Sequence, residues 1–179
     1  MANRPGDLGP ATVRRLDWLQ VVARLAPARS YWLATVDAGG APHTVPVWGV
    51  VERGILYIYM ERRSAKARHV TANQTVAVHL PDPEDVLVVE GQLRDLGHPS
   101  QHPKVVAAFD VKYCEPADAV YLPSHDPAFD GLYELTPRRA MAWQLANFDG
   151  SQARWTLGDR GPDEGLTSSR PEPLPGRTQ

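Results

Sequence analysis

The stretch YWLATVDAGGAPHTVPVWGVVE, residues 31–52, decides the fold. Its first six residues are aromatic, β-branched or small apolar, a pattern typical of a β-strand. Asp37-Ala38-Gly39-Gly40 suits the positive φ angles of a hairpin turn, and a second strand is predicted over residues 43–52. Pro46 lies inside that second strand and removes one ladder donor. The strand is therefore predicted to be an edge, to carry a bulge, or to turn its backbone toward a ligand.

The rest of the chain shows further strand-like segments separated by tight turns. Arg53-Gly54 forms the next turn, and further strands are predicted over residues 55–61, 75–80, 86–93, 131–136, 140–145 and 153–157. Helices are predicted over residues 13–25, 64–73 and 103–113, the first because Val13, Leu16, Leu19, Val22 and Leu25 recur at three-residue steps. Many strands, tight turns and few short helices indicate a mainly β fold, an antiparallel sheet closed into a barrel with flanking helices.

A chain of 179 residues is the length of one domain. We predict that the domain spans residues 12–157 and follows an N-terminal extension, residues 1–11. Residues 158–179 contain four prolines and only two hydrophobic residues, Leu166 and Leu174. So little apolar surface cannot offset the entropy of ordering, and these residues are predicted to be a disordered tail.

The overall composition excludes several classes of protein. The formal net charge is −2, so the chain lacks the broad basic field of a nucleic-acid binder. No apolar run approaches the ~20 residues that cross a bilayer, and the polar N-terminus does not resemble a signal peptide. We therefore expect a cytoplasmic protein without membrane or nucleic-acid partners. Cys114 is the only cysteine, and no set of metal ligands stands out, so no metal site is predicted.

Positive charge is concentrated in one short segment that begins a predicted helix. Four cations and a hydroxyl lie within seven residues, namely Arg62, Arg63, Ser64, Lys66 and Arg68. The free N–H groups and the dipole of a helix N-terminus favour an anion, and a phosphate would fit there. Two alternatives remain open at this point. The segment could be a solvated basic turn, and Ser64 could serve only as the helix N-cap.

The second candidate segment surrounds Pro46. Trp48, two residues further on, could belong to the core, or it could flank a planar ring. No pair of groups suited to general acid–base catalysis is evident, so no catalytic residue is nominated.

Several segments together resemble the pyridoxamine 5′-phosphate oxidase-like family, the split β-barrel flavin and deazaflavin oxidoreductases. The resemblance holds in order and spacing from about residue 31 to residue 93, and continues more weakly to residue 155. The matching segments are residues 31–37 with Gly39-Gly40, residues 42–48, Ser64-Ala65-Lys66-Ala67-Arg68, residues 75–80, and Val88-Val89-Glu90-Gly91.

The resemblance implies a homodimer with two cofactor sites at the subunit interface. The ring system of the cofactor would then be lined by Thr44, Val45, Pro46, Val47 and Trp48. The phosphate would be held by Ser64, Lys66 and Arg68, with help from Arg62 or Arg63. Candidates to reach the site from the partner subunit are Trp143, Phe148 and Trp155. Two departures stand out, because Ala65 and His69 occupy positions where many relatives have Arg and Asn.

The resemblance favours coenzyme F420 as the cofactor, with FMN as the alternative. The Ser-x-Lys-x-Arg pattern together with Val-Pro-Val-Trp is closer to the F420-binding branch of the family. The implied activity is an oxidoreductase that transfers hydride to a small unsaturated substrate. Oxidation of pyridoxamine phosphate is not expected, because the additional substrate-phosphate arginines near the C-terminus are missing. The alternative is a non-catalytic protein that binds or sequesters a flavin, a deazaflavin or haem.

Overall fold

The structure, a computed structural model, describes residues 14–156. The predicted N-terminal extension and C-terminal tail lie outside the described residues. The strands are β1 (Arg14–Arg15), β2 (Tyr31–Val36), β3 (Pro42–Val47), β4 (Gly49–Glu52), β5 (Ile55–Met60), β6 (Thr75–His79), β7 (Asp85–Gly97), β8 (Gly131–Gln144) and β9 (Ala153–Thr156). The α-helices are α1 (Trp18–Leu25), α2 (Ala65–Ala72), α3 (Pro103–Lys112) and α4 (Phe148–Ser151). Short 3₁₀ helices occur at Pro99–Gln101, Ala119–Tyr121 and Leu145–Asn147.

The described strands form one sheet in the order β1-β9-β8-β7-β6-β2-β3, with β5 added to β8 and β4 added to β5. Every pairing is antiparallel except that of β1 with β9. One edge of β8 carries β5 along Gly131–Glu134 and β9 along Arg139–Ala142. Because β3 and β4 do not pair with each other, the barrel stays open between them. The prediction of a mainly β split barrel is confirmed.

Two strand predictions need correction. The strand predicted over residues 43–52 is divided at Trp48, since β3 pairs with β2 whereas β4 pairs with β5. Conversely, the two strands predicted over residues 131–136 and 140–145 are the single strand β8. An irregularity near Pro137 lets β8 continue, because the register against β7 shifts between Glu90 and Gly91.

The first helix exists, but its predicted start and buried face are wrong. It begins at Trp18, after an N-cap at Asp17 that forms a capping box with Gln20. Three-residue steps turn each side chain back by roughly 60° on a helix of 3.6 residues per turn, so the predicted set could not share one face. Leu19 is accordingly 67% exposed, whereas Val21 and Leu25 are buried. The predictions for α2 and α3 agree with the structure to within one residue at each end.

The buried side chains form two clusters. The larger one fills the barrel between α1, α2 and the sheet. The smaller one lies beneath α3 and contains Phe109 and Tyr113 of that helix, together with Tyr59 of β5 and Leu132 of β8. The second cluster matters for function because its partly buried rim, which includes Trp48 and Phe129, borders the opening between β3 and β4.

Candidate functional site

A cleft of about 330 Å³ lies beside the open seam of the barrel. It brings together the two segments that the sequence singled out, since it is lined by both Pro46–Trp48 and Lys66. The complete lining is Ser30, Pro46, Val47, Trp48, Tyr59, Met60, Lys66, Tyr121 and Phe129. The cleft is therefore an aromatic and apolar groove with one cation.

Trp48 lies where the chain changes its strand partner, between the end of β3 at Val47 and the start of β4 at Gly49. Its indole stacks on the ring of Tyr113 with centroids 4.3 Å apart and planes 3° from parallel. The following residue, Gly49, is closely packed, because a Cβ at position 49 would lie 3.0 Å from both Tyr31 and Leu56. The N–H of Gly49 donates to the Tyr113 hydroxyl over 2.9 Å. Trp48 thus contacts the core with one face, as the first interpretation predicts, and it also lines the cleft.

Strand β3 supplies the other residues predicted to line the ring system. Among residues 14–156 it pairs only with β2, so it is an edge strand, the first of the three explanations offered for Pro46. Thr44 and Pro46 are exposed, Val45 is half-buried, and Val47 is 6% exposed. Its unpaired edge leaves backbone N–H and C=O groups available for a ligand.

The three arginines of the basic segment each form hydrogen bonds or ion pairs within the chain. Arg62 forms a bidentate ion pair with Asp95 and also donates to the Asp130 carbonyl over 3.1 Å. Arg63 pairs with Glu61 at 2.8 Å, and Arg68 donates to the Arg63 carbonyl at 2.5 Å.

Ser64 is the N-cap of α2. Its hydroxyl accepts from the Ala67 N–H at 3.4 Å and donates to the Glu61 carbonyl at 2.7 Å. Ser64 therefore has the structural role that the sequence left open for it.

Lys66 differs from its neighbours. It is half-buried in the cleft, and among residues 14–156 no carboxylate lies within ion-pair distance of its ammonium group. Burial lowers its pKa from the usual value, and the charge of Glu61 opposes that shift only in part. The backbone N–H groups of Ala65 and Lys66 lie in the first turn of α2, where a helix has no internal acceptors. A cation that forms no ion pair among the described residues thus lies at the cleft, beside the backbone donors of a helix N-terminus.

The three aromatic residues predicted to act from the partner subunit do not line the cleft of their own chain. Trp155 packs on Trp18 at 4.7 Å between centroids and adds to the main core. Trp143 and Phe148 contact each other edge to face at 6.2 Å, and Phe148 is 48% exposed. Trp143 and Phe148 remain candidates for contact with a second chain, while Trp155 serves the packing of its own.

Sequence reasoning missed Ser30, Tyr59, Met60, Tyr121 and Phe129 as cleft residues. Tyr59 lies in a predicted strand, and strand alternation alone could not show that it faces a cleft. Tyr121 and Phe129 lie in a long loop without periodicity, so no local pattern pointed to them.

Lys112 of α3 forms hydrogen bonds with residues that pack behind Trp48. Its Nζ donates to the Gly49 carbonyl at 2.7 Å and to the Tyr31 hydroxyl at 3.0 Å. Burial lowers the pKa of Lys112 from 10.5 to about 8. Burial also raises the pKa of Tyr113 to about 12 and raises those of Tyr31 and Tyr59.

These shifts predict a maximum in stability at alkaline pH. Between pH about 8 and 10.5 the unfolded chain holds a proton that folded Lys112 has lost, so the free energy of unfolding rises with pH. Above about pH 10 the unfolded tyrosines ionise first, and the free energy of unfolding falls. Urea unfolding at a series of pH values measures both effects. Lys112→Met should reduce the rise, by at most ~1.4 kcal/mol per pH unit, to the part that the lowered pKa of Lys66 supplies. Lys104→Met, at an exposed position of α3, should leave the rise unchanged. An unchanged profile in Lys112→Met contradicts the prediction.

The open β-barrel, with its seam between β3 and β4, defines a split-barrel fold. The chain belongs to the pyridoxamine 5′-phosphate oxidase family, whose model matches residues 19–144. No curated protein matches the sequence. Among residues 14–156, no helix is both long and apolar enough to span a bilayer.

Solved structures share the fold at low sequence identity. A conserved hypothetical protein from Mycobacterium tuberculosis is 20% identical, with a TM-score of 0.62 over 74% of this chain and 88% of that chain. An F420 reductase is 23% identical, with a TM-score of 0.53 over 65% and 93%. The haem storage protein of Vibrio cholerae is 18% identical, with a TM-score of 0.54 over 70% and 92%. One fold thus serves both a reductase and a haem-storage protein.

Proposed function

We propose that the protein is an oxidoreductase that binds coenzyme F420, or alternatively FMN, at a homodimer interface and transfers hydride to a small unsaturated substrate. The observation that carries this proposal is Lys66, a half-buried cation that lines an aromatic cleft and forms no ion pair with a carboxylate among residues 14–156. Both cofactors combine a planar ring with a phosphate. The aromatic part of the cleft suits the ring, and the part near Lys66 suits the phosphate. When bound, the cofactor would supply the hydride chemistry.

The chain's own residues would bind and orient that cofactor. Trp48 and the free edge of β3 would hold the ring, while Lys66 and the first turn of α2 would hold the phosphate. Arg62 and Arg63, engaged with Asp95 and Glu61, would add only a general positive field. The preference for F420 over FMN rests on the Ser64-x-Lys66-x-Arg68 pattern. A cytoplasmic location stays a prediction from the sequence.

Haem binding is the second candidate, because two solved structures of this fold are a haem-binding and a haem storage protein. Haem iron takes an axial His, Cys, Met or Tyr ligand. The described lining of the cleft contains neither histidine nor cysteine, Met60 is 1% exposed, and the Tyr59 hydroxyl donates to the Tyr121 carbonyl at 2.5 Å. Tyr121 is the remaining lining residue that could be an axial ligand. The lack of a histidine in the described lining favours a flavin or deazaflavin over haem.

Titration of the purified full-length protein with F420, FMN and haemin, each alone, tests the proposal. We expect F420 to bind with a Kd below about 1 μM, FMN to bind more weakly, and haemin to show no specific absorption change. Binding of haemin alone would replace the oxidoreductase with the second candidate. Failure of both F420 and FMN to bind would reject the proposed function.

The outer face of the sheet supports the proposed homodimer. Trp32, His79, Val88 and Met141 are successive partners across β2, β6, β7 and β8. Their neighbours along each strand, such as Leu33 and Val89, point into the core. By strand alternation the first set therefore points outward, where it forms a largely apolar row with Trp32 36% exposed. Such a row suits contact with a second copy of the chain.

Charging this row should separate the subunits. Val88→Glu would place a carboxylate between His79 and Met141, and a buried unpaired charge at an interface is costly. We expect the molar mass in solution to fall from that of a dimer to that of a monomer, measured by light scattering. Val111→Glu is the matched control, because Val111 is 78% exposed on α3 and its substitution should leave the mass unchanged. A dimeric Val88→Glu variant would assign the interface elsewhere.

A further inference from the structure

One wall of the cleft comes from a loop that the function proposed above does not use. Tyr121 and Phe129, here called the aromatic wall, face the cleft opposite β3. The Tyr121 ring lies 6.0 Å from Trp48 at an interplanar angle of 81°, and Phe129 lies 5.1 Å from Tyr59 at 71°. Two edge-to-face pairs of aromatic rings thus line the cleft, and such rings offer contact area to a flat apolar molecule.

The backbone at Tyr121 is held in place although the side chain is not buried. The backbone carbonyl of Tyr121 accepts a hydrogen bond from the Tyr59 hydroxyl, and the next residue, Leu122, is 3% exposed in the second core cluster. The Tyr121 side chain itself remains 56% exposed. A fixed backbone that presents an exposed ring at a cleft is suited to ligand contact, because little ordering entropy is lost on binding.

An ion pair anchors the loop that carries Tyr121 close to Trp48. Asp118 is 5% exposed, and Arg29 Nη2 lies 2.7 Å from each of its carboxylate oxygens. The guanidinium carbon of Arg29 lies 5.7 Å from the Trp48 ring centroid and 5.8 Å from that of Tyr113. Arg29 therefore connects the start of the loop to Trp48, and Asp118 neutralises its charge.

We propose that Tyr121 is a specificity-determining residue that selects flat, uncharged, conjugated substrates, and that Arg29 and Asp118 are its positioning pair. The proposal rests on the function proposed above. Once Lys66 holds the cofactor phosphate, the cleft lining provides no other cation or carboxylate. An anionic substrate would lose its hydration there without gaining a partner, whereas a neutral ring gains contact with the wall.

The test compares 1,4-naphthoquinone with its anionic analogue 1,4-naphthoquinone-2-sulfonate. In the assay one hydride and one proton pass from the reduced cofactor to the quinone, which becomes the hydroquinone as the cofactor is oxidised. We expect Tyr121→Ala to raise the KM for naphthoquinone about tenfold with a smaller change in kcat, and Tyr121→Phe to stay near the wild type. Val120→Ala is the control, since Val120 is exposed and does not line the cleft.

The positioning pair is tested by a double-mutant cycle. Asp118→Asn should raise the KM for naphthoquinone in the wild-type background but leave it unchanged in the Tyr121→Ala background. A purely structural loss would instead lower activity to the same extent in both backgrounds. Such additive behaviour would remove Arg29 and Asp118 from the proposal.

The result that overturns the assignment of Tyr121 is an equal KM in Tyr121→Ala and the wild type, or a lower KM for the sulfonate than for naphthoquinone. Binding of 1,4-naphthoquinone to the cofactor-free protein, followed by quenching of tryptophan fluorescence, separates this failure from that of the proposed function. If F420 and FMN do not bind, a loss of at least about fivefold in naphthoquinone affinity in Tyr121→Ala still supports ligand contact by Tyr121. Unchanged affinity, or no binding to the wild type, rejects it.

Discussion

Lys66→Ala is expected to weaken cofactor binding by ~1.5–3 kcal/mol, which is roughly 10- to 150-fold in Kd. The reason is that Lys66 is half-buried, has its pKa lowered by burial, and among residues 14–156 has no carboxylate within ion-pair distance. The folded protein already disfavours the charge of Lys66, so removing it should not reduce thermal stability. Titration with F420 and with FMN, together with a melting curve, measures both quantities.

Arg63→Ala is the matched control for Lys66. Arg63 lies three residues earlier in the same basic segment, but it is exposed and paired with Glu61. Its removal should change Kd by less than about threefold. Equal losses in the two variants would indicate a diffuse positive field rather than a contact with Lys66. An unchanged Kd in Lys66→Ala would mean that the segment is a solvated basic turn.

Gly91→Ala is expected to destabilise the fold by about 3 kcal/mol and to lower the Tm by roughly 6–12 °C. A Cβ at Gly91 would overlap the carbonyl oxygen of Thr136 and lie 2.9 Å from the Cα of Pro137. Both obstacles are backbone atoms of β8, so neither can move without distorting the strand. The clash falls at the register shift that lets β8 pair with β7 along its whole length.

Gly39→Ala provides the comparison for Gly91. Gly39 lies in the exposed hairpin turn, where an added Cβ would lie 3.3 Å from a side-chain oxygen of Asp37 rather than from backbone. Its free energy of unfolding should change by less than about 0.5 kcal/mol in urea. A Gly91→Ala variant that unfolds at the same urea concentration as Gly39→Ala would show that β8 relaxes more easily than its contacts suggest.

Most of the local structure could be predicted from the sequence, because it depends on nearest neighbours. Strand β2, its hairpin turn, and helices α2 and α3 follow from residue type and capping residues. The division of the predicted strand at Trp48 could not be anticipated in this way. Residues 43–52 are uniformly strand-like, and only the competing partners β2 and β5 separate them.

The site shows the same limit over longer distances. Pro46, Trp48 and Lys66 were singled out by local signals and by the family resemblance, and the fold brings them to one cleft. Local signals could not show that Arg62 is paired with Asp95, which lies 33 residues away. Nor could they assign a role to Tyr121, whose position depends on a hydrogen bond from Tyr59, which lies 62 residues earlier in the chain.

The open seam at Trp48 also has a consequence for folding kinetics. Strands β2 and β3 are joined by only five residues, 37–41, and can pair early. Strand β5, which carries β4, instead pairs residue 57 with residue 134, and these are 77 positions apart. Contacts of such separation form slowly because loop closure costs entropy before any contact is made. We therefore expect the two sides of the cleft to form at different times, with ligand binding appearing only in the slowest refolding phase.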